Sequence, residues 1–152
     1  TVEVEGEIQL TAKVLPENAE NTTITWTLVS AGEDAENPVI SLDKKTGLVT
    51  GLAAGVAVVR ASAGGVSSEF EIKVISFTSI KVTNLPTKTE YGLGEVLSKE
   101  GMVISAVYSD ESEKVIANDD EKLEIVFDSS VPGEEVLVTV KYGEFSDTFT
   151  LQ

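Results

Sequence analysis

The amino-acid sequence predicts an all-β fold, and three observations lead to this. Apolar residues recur at every second position in many short segments, which is the period of a strand with one buried face. Turn signals rich in glycine, proline, asparagine and aspartate separate these segments at short intervals, as in a sandwich or a barrel. They include Pro16-Glu17-Asn18, Pro132-Gly133 and Gly64-Gly65, and the last fits a two-residue hairpin turn. No segment sustains the spacing of apolar residues that marks a helix.

Alternating segments of the first half supply one predicted core. They are Glu7–Val14, Thr23–Leu28, Val56–Ser62 and Phe70–Val74. Trp26, the sole tryptophan, shares its face with the apolar residues two positions before and after it. We therefore predict that Trp26 is a core residue; the alternative is an exposed platform for a sugar.

Alternating segments of the second half supply a second predicted core. They are Ile104–Tyr108, Leu123–Phe127 and Val136–Tyr142. Tyr108 and Tyr142 share their faces with apolar residues, so both are predicted core positions. Tyr91 lies outside these strands beside glycines, and it is the best single aromatic candidate for ligand contact, with packing in the core or a loop as the alternative.

A domain boundary is predicted near Ser76, where one alternating strand ends and another begins without a glycine- or proline-rich linker. This gives domains of residues 1–75 and 76–152; a single sandwich of 152 residues is the alternative. Domains of this size bury only about 60% of their unfolded surface. Without cysteine, strand pairing and the two cores must supply all the stability.

The absence of cysteine and histidine excludes most catalytic chemistry. Disulfides, thiolate nucleophiles, the usual zinc sites and a histidine-based triad are all impossible. Oxygen ligands for a cation such as calcium remain. We predict no enzyme activity, no catalytic residue and no cofactor.

The net charge is −15, from 26 acidic and 11 basic residues, and it constrains the partners. A field of this sign repels nucleic acids and anionic membranes and favours a soluble monomer. No apolar run is long enough to span a membrane, so we expect no membrane insertion. No signal peptide begins at Thr1, and we expect any export signal or anchor to lie outside this piece.

Acidic clusters are the candidate metal ligands. They are Glu33-Asp34-Glu36, Asp110-Glu111-Glu113 and Asp119-Asp120-Glu121. None has the spacing of an EF-hand, so we predict no metal site and expect solvated loops. Asp119 and Asp120, with Asp128 or Asp110, are the first place to look for calcium. A glycosidase would need paired carboxylates in a deep cleft, for which a small sandwich offers little room.

The first half resembles a bacterial Ig-like domain of group 2. The matching residues are LTAKVLP (10–16), TITW (23–26), ISLD (40–43) and, as the most specific signature, TGLVTGLAAG (46–55). In this signature we expect Gly47 to turn the chain and Leu48 to point into the core. The family usually has a short strand before the one at Ile8, so Thr1–Glu5 predicts a truncated or missing first strand.

The second half resembles a bacterial Ig-like domain of group 3. The matching residues are LPTKTEY (85–91), GMVISAVYSD (101–110) and VPGEEVLVTVKY (131–142). Glu111 stands where the family usually has glycine, which predicts a longer loop through Ser112 in place of a tight turn.

The two resemblances imply immunoglobulin-like sandwiches in tandem from a bacterial surface or secreted protein, with a Gram-positive source expected. They imply a spacer or adhesion segment, and a carbohydrate-binding accessory module of a glycan-degrading enzyme is the alternative. Its partners would be other domains of the parent protein, and beyond them a host or cell-wall glycan or a protein receptor. Fold alone does not choose among these roles.

Overall fold

A computed structural model of the chain describes residues 1–16, 20–32, 36–130 and 135–151. The predicted turns at Glu17-Asn18 and Pro132-Gly133 lie outside these residues. The chain divides into two compact units, Thr1–Ser76 and Phe77–Gln152. Each has its own hydrophobic core. No helix within the described ranges is long and apolar enough to cross a membrane.

The first unit has seven strands among its described residues. They are β1 (Val2–Glu3), β2 (Glu7–Gln9), β3 (Thr25–Ser30), β4 (Ile40–Leu42), β5 (Leu48–Gly51), β6 (Gly55–Ala63) and β7 (Val66–Ile75). One sheet has the order β1-β7-β6-β3 and the other the order β2-β5-β4. All pairs are antiparallel except β1 with β7, which run parallel.

The core of the first unit lies between the inner faces of these two sheets. Its buried members include Trp26, Val49, Val59 and Ile72. Gly64-Gly65 closes the long β6–β7 hairpin with Ala63 opposite Val66, which confirms the predicted two-residue turn. Both glycines have positive φ, as a type I′ turn requires.

The second unit has six strands among its described residues. They are β8 (Phe77–Asn84), β9 (Val103–Tyr108), β10 (Glu113–Ile116), β11 (Leu123–Val126), β12 (Val136–Tyr142) and β13 (Phe145–Leu151). They form two antiparallel sheets, β10-β9-β8 and β11-β12-β13. Ile104 and Val140, one from each sheet, are fully buried in the core.

The start of the chain has the truncated first strand that the sequence predicts, and its second strand is shorter than predicted. A short strand does precede Ile8: Val2 and Glu3 pair with Val74 and Ile75 of β7. The chain then crosses to the other sheet, where β2 pairs with β5. The predicted strand Glu7–Val14 is much shorter than expected, since pairing stops at Gln9.

The turn after β9 also differs from expectation. Tyr108 donates its N–H to the carbonyl of Ser112 (3.0 Å), and Glu111 donates to the carbonyl of Tyr108 (2.9 Å). This is a tight three-residue hairpin loop, in which the residue after the turn adopts a left-handed conformation. Glu111 takes that conformation, with φ of 65°, so the tight turn forms without glycine.

Candidate functional site

Trp26 is locked into the first core by a neighbouring glycine. It is 4% exposed and meets Phe70 edge to face, with ring centroids 6.1 Å apart. Gly47 lies against the indole: a Cβ there would be 2.6 Å from Trp26 Nε1. Gly47 also has φ of +76°. Gly47, the first glycine of the TGLVTGLAAG signature, is therefore needed both because it adopts this backbone conformation and because it has no side chain.

Asp43 stabilises the turn that places Gly47 against the indole of Trp26. Its Oδ1 accepts hydrogen bonds from the N–H groups of Lys45 (2.8 Å) and Thr46 (3.2 Å). Its carbonyl accepts one from Gly47 (2.8 Å). The backbone hydrogen bonds from Lys45 and Thr46 lower the pKa of the Asp43 carboxyl, because they stabilise its charged form.

Leu48 does not occupy the core position expected of it. It is half-buried and lies opposite Gln9, whereas the next residue, Val49, is fully buried. Pairing explains the reversal, because Val49 lies directly opposite Ile8 on one side and Leu42 on the other, and paired residues share a face. The inward residue of this strand is Val49.

Tyr108 and Tyr142 lie half-buried against the second core. Both contact Phe77, with ring centroids at 6.1 and 5.8 Å, and Phe145 meets the same ring edge to face with centroids 4.5 Å apart. The Tyr142 hydroxyl donates to Asp120 Oδ2 at 3.3 Å. Burial, with a smaller effect of the Asp120 charge, raises the pKa of Tyr142.

Tyr91, the candidate ligand contact, is half-buried within its loop. Its ring meets Phe127 at 4.9 Å with an interplanar angle of 63°, so the two rings form no common flat surface. Its hydroxyl donates to the Lys88 carbonyl (3.0 Å) and accepts from the Ser98 N–H (3.1 Å). The Lys88 ammonium lies 4.8 Å from the ring centroid. Both ring and hydroxyl are therefore engaged in packing this loop.

The carboxylate of Glu95 closes the same loop. It bonds the Lys88 ammonium (2.6 Å) through Oε1 and accepts the Gly92 N–H (2.7 Å) through Oε2. The bond from Lys88, then that from Gly92, lowers the pKa of Glu95. These groups order a segment that has no strand of its own.

Acidic side chains in the described loops accept hydrogen bonds from their own backbone. Asp110 accepts from Ser112 (3.1 Å), Asp120 from Lys122 (2.9 Å) and Asp128 from Ser130 (2.9 Å). Hydrogen bonds from the Ser130 hydroxyl and backbone lower the pKa of Asp128. Within the described ranges no three acidic residues converge to hold a metal ion. Glu33 and Asp34 lie outside those ranges.

A cleft at one end of the first unit was missed by the sequence reasoning. Its volume is about 510 Å³, and it lies between the segment after β2 and the end of the β6–β7 hairpin. Its lining includes Leu15, Ile24, Ala63, Val66 and Ser68. Leu15 is 71% exposed and Val66 74% exposed. The early end of β2 was the missing information, because residues 12–15, predicted in part as strand, lie beyond it and line the cleft.

Comparison with protein families gives two matches in sequence order. The family described as "Bacterial Ig-like domain (group 2)" matches residues 1–74, and the one described as "Bacterial Ig-like domain (group 3)" matches residues 85–152.

Individual proteins are similar to this chain either over part of its length or at low sequence identity. An exo-beta-1,6-galactobiohydrolase of Bifidobacterium longum subsp. longum is 35% identical in an alignment of 92 residues that covers 55% of this chain and 6% of that protein. Among solved structures, domains 4 and 5 of the S-layer protein SbsC give a TM-score of 0.48 at 16% identity, covering 95% of this chain and 80% of that one. Drosophila OTK extracellular domains 3–5 give 0.40 at 12% identity, covering all of this chain and 57% of that one.

Proposed function

The chain belongs to the bacterial Ig-like domains, with a group 2 domain followed by a group 3 domain, and from this premise we propose a non-catalytic role. It is an extracellular module pair of a bacterial surface or secreted protein, and it acts as a spacer or adhesion segment. Its partners are other domains of the parent protein. A Gram-positive source stays a prediction.

The use of aromatic side chains is the observation that carries this proposal. All nine aromatic residues lie in described segments, and each is buried or half-buried. A surface that stacks on sugars needs an exposed aromatic face, and these rings are engaged in packing with one another or with the cores. The aromatic residues of the chain therefore stabilise the fold by packing.

The chemistry of the chain supports the absence of catalysis. It has neither cysteine nor histidine as a nucleophile or base. Asp43, Glu95 and Asp128 have lowered pKa values, so they are ionised acceptors in turns and unsuited to donate a proton near neutral pH. Turnover of a polysaccharide or ester by the purified chain, abolished by changing one carboxylate, would overturn this part of the proposal.

A surface-display experiment tests the spacer role. The chain is placed between a membrane or wall anchor and a reporter epitope on a bacterial cell. We expect antibody access to the epitope to fall when the chain is deleted and to return when an unrelated rigid spacer replaces it. If the unrelated spacer restores antibody access to the epitope without restoring attachment of the cells to the surface that they bind naturally, the chain is an adhesion segment.

The alternative role is a carbohydrate-binding accessory module of a glycan-degrading enzyme. The similarity to the Bifidobacterium galactobiohydrolase favours it, although the matched part is 6% of that protein. Affinity electrophoresis in gels containing β-linked galactans separates the two roles. Retardation that Tyr91→Ala abolishes and Tyr91→Phe preserves would support glycan binding through this ring, and unchanged mobility favours the spacer.

A further inference from the structure

We propose that the outer edge of β7 binds an extended, basic peptide segment by strand addition, with alternate side chains of the peptide entering the cleft beside it. This binding role goes beyond the proposed spacer role and does not depend on it. It rests on an unpaired strand edge, an adjoining cleft and the charges along the edge.

The unpaired edge is long. β7 runs from Val66 to Ile75, and β6 pairs with it along nearly its whole length. On the other side, β1 pairs only with Val74 and Ile75. No strand in the described part of the chain lies against the remaining outer edge. Such an edge is a template for an incoming strand.

The direction of the backbone groups identifies which residues offer hydrogen bonds. Val4, just after β1, donates its N–H to the carbonyl of Ile75 (2.9 Å), so the polar groups of Ile75 face away from β6. Direction alternates along a strand. The N–H and C=O groups of Ser67, Glu69 and Glu71 therefore face the same open side.

The cleft adjoins this edge. Val66, Ser67 and Ser68 belong to β7 and also line the cleft. A strand added here would extend the sheet, and its inward side chains would lie beside Val66 and Ser68 of β7, which line the cleft together with Leu15. In strand addition the backbone supplies affinity and pockets for alternate side chains supply specificity. Small apolar side chains suit this lining.

Charge selects a basic occupant over a second copy of the chain. The side chains of Glu69, Glu71 and Lys73 are exposed on the outward face of β7, and Glu69 pairs with Arg60. Antiparallel pairing of two copies centred on this stretch sets Glu69 or Glu71 directly opposite a glutamate of the other copy, which is unfavourable. A net charge of −15 adds to that repulsion. Lysine or arginine at alternate positions of a partner removes it.

The test uses the full chain and a short synthetic peptide of alternating lysine and valine, with a glutamate–valine peptide as the control. We expect the basic peptide to shift the NMR signals of the Ser67, Glu69 and Glu71 amides and to slow their hydrogen exchange. The acidic peptide should do neither. Shifts spread over acidic residues of both units would mean non-specific charge attraction and would overturn the proposal.

Two matched variants at Glu71 separate hydrogen bonding from charge. Glu71→Pro removes an outward N–H, which a sheet edge tolerates, and should weaken binding by about tenfold or more. Glu71→Gln keeps the N–H and should weaken it only by about threefold. Equal affinity of the proline variant and the natural chain would overturn the proposal.

Two further outcomes are also decisive. If Glu71→Pro fails to unfold cooperatively, the exchange of the three amides in the unaltered chain, with and without peptide, decides the question. Protection of the same amides that rises with protein concentration in the absence of peptide would assign the edge to a second copy and reject the basic partner.

Discussion

At the residue scale, this protein places two different residue types, a glycine and a glutamate, in the left-handed backbone conformation. Gly47 has this conformation, and the Trp26 ring occupies the space that a side chain at position 47 would fill. Glu111 holds a similar conformation with a full side chain. A residue other than glycine in this region costs roughly 1–2 kcal/mol. The two positions therefore predict substitutions of opposite sign.

Gly47→Ala should lower the free energy of unfolding of the first unit by about 2–4 kcal/mol, from backbone strain together with displacement of the Trp26 ring. Gly65→Ala is the matched control, because Gly65 has φ of +82° and nothing within 4 Å of its added Cβ. Urea unfolding followed by fluorescence of the sole tryptophan measures both. Equal losses in the two variants would show that contact with Trp26 is unimportant.

Glu111→Gly should raise the free energy of unfolding of the second unit by about 0.5–1 kcal/mol, since relief of strain exceeds the added entropy of the unfolded chain. Glu111→Gln removes the charge but keeps the Cβ, and it should leave most of the strain in place. Circular dichroism during urea unfolding compares the two. A gain as large in the glutamine variant would assign the effect to charge.

At the element scale, the β4–β5 turn links charge to folding. The folded-state pKa of Asp43 is lowered, so its contribution to stability is fully present above the ordinary value of 3.8 and is lost as pH falls through the lower folded value. The turn should therefore weaken in acid without any change in the core beneath it.

Asp43→Ala should lower the thermal midpoint at pH 7, and its difference from the unaltered chain should shrink as pH falls well below 3.8. Asp43→Asn keeps an oxygen acceptor but no charge, so it should lose less than alanine at pH 7. Calorimetry over a pH series measures the three midpoints. A difference that stays constant with pH would show that the hydrogen bonds do not depend on ionisation.

At the scale of the whole molecule, each unit has its own hydrophobic core of buried residues. Trp26, Val49 and Val59 belong to one core, and Ile104 and Val140 to the other. We propose that the two units are independent folding domains, in accordance with the boundary predicted near Ser76.

Residues 1–76 and 77–152, produced separately, should each unfold in a single cooperative transition, because each retains its complete core. Circular dichroism and dispersion of amide signals measure this. As a control, a fragment ending at residue 65 lacks β7 and should not fold. A disordered 1–76 or 77–152 would reject independent folding.

The amino-acid sequence by itself determined the all-β class and most of the core. Period-two alternation identified the buried faces of β3, β7 and β12, because successive side chains of a strand point to opposite faces. The hairpin turn at Gly64-Gly65 was equally legible, since few residues adopt its backbone conformation.

The tertiary structure alone decided features that depend on pairing between distant segments. Val49 is buried in place of Leu48 because its neighbours across the sheet are Ile8 and Leu42. The cleft is lined in part by residues 12–15, which lie beyond the end of β2 at Gln9 although the alternation continues to Val14. Alternation shows that a segment can bury one face, but only a partner strand fixes where the pairing ends and which face is covered.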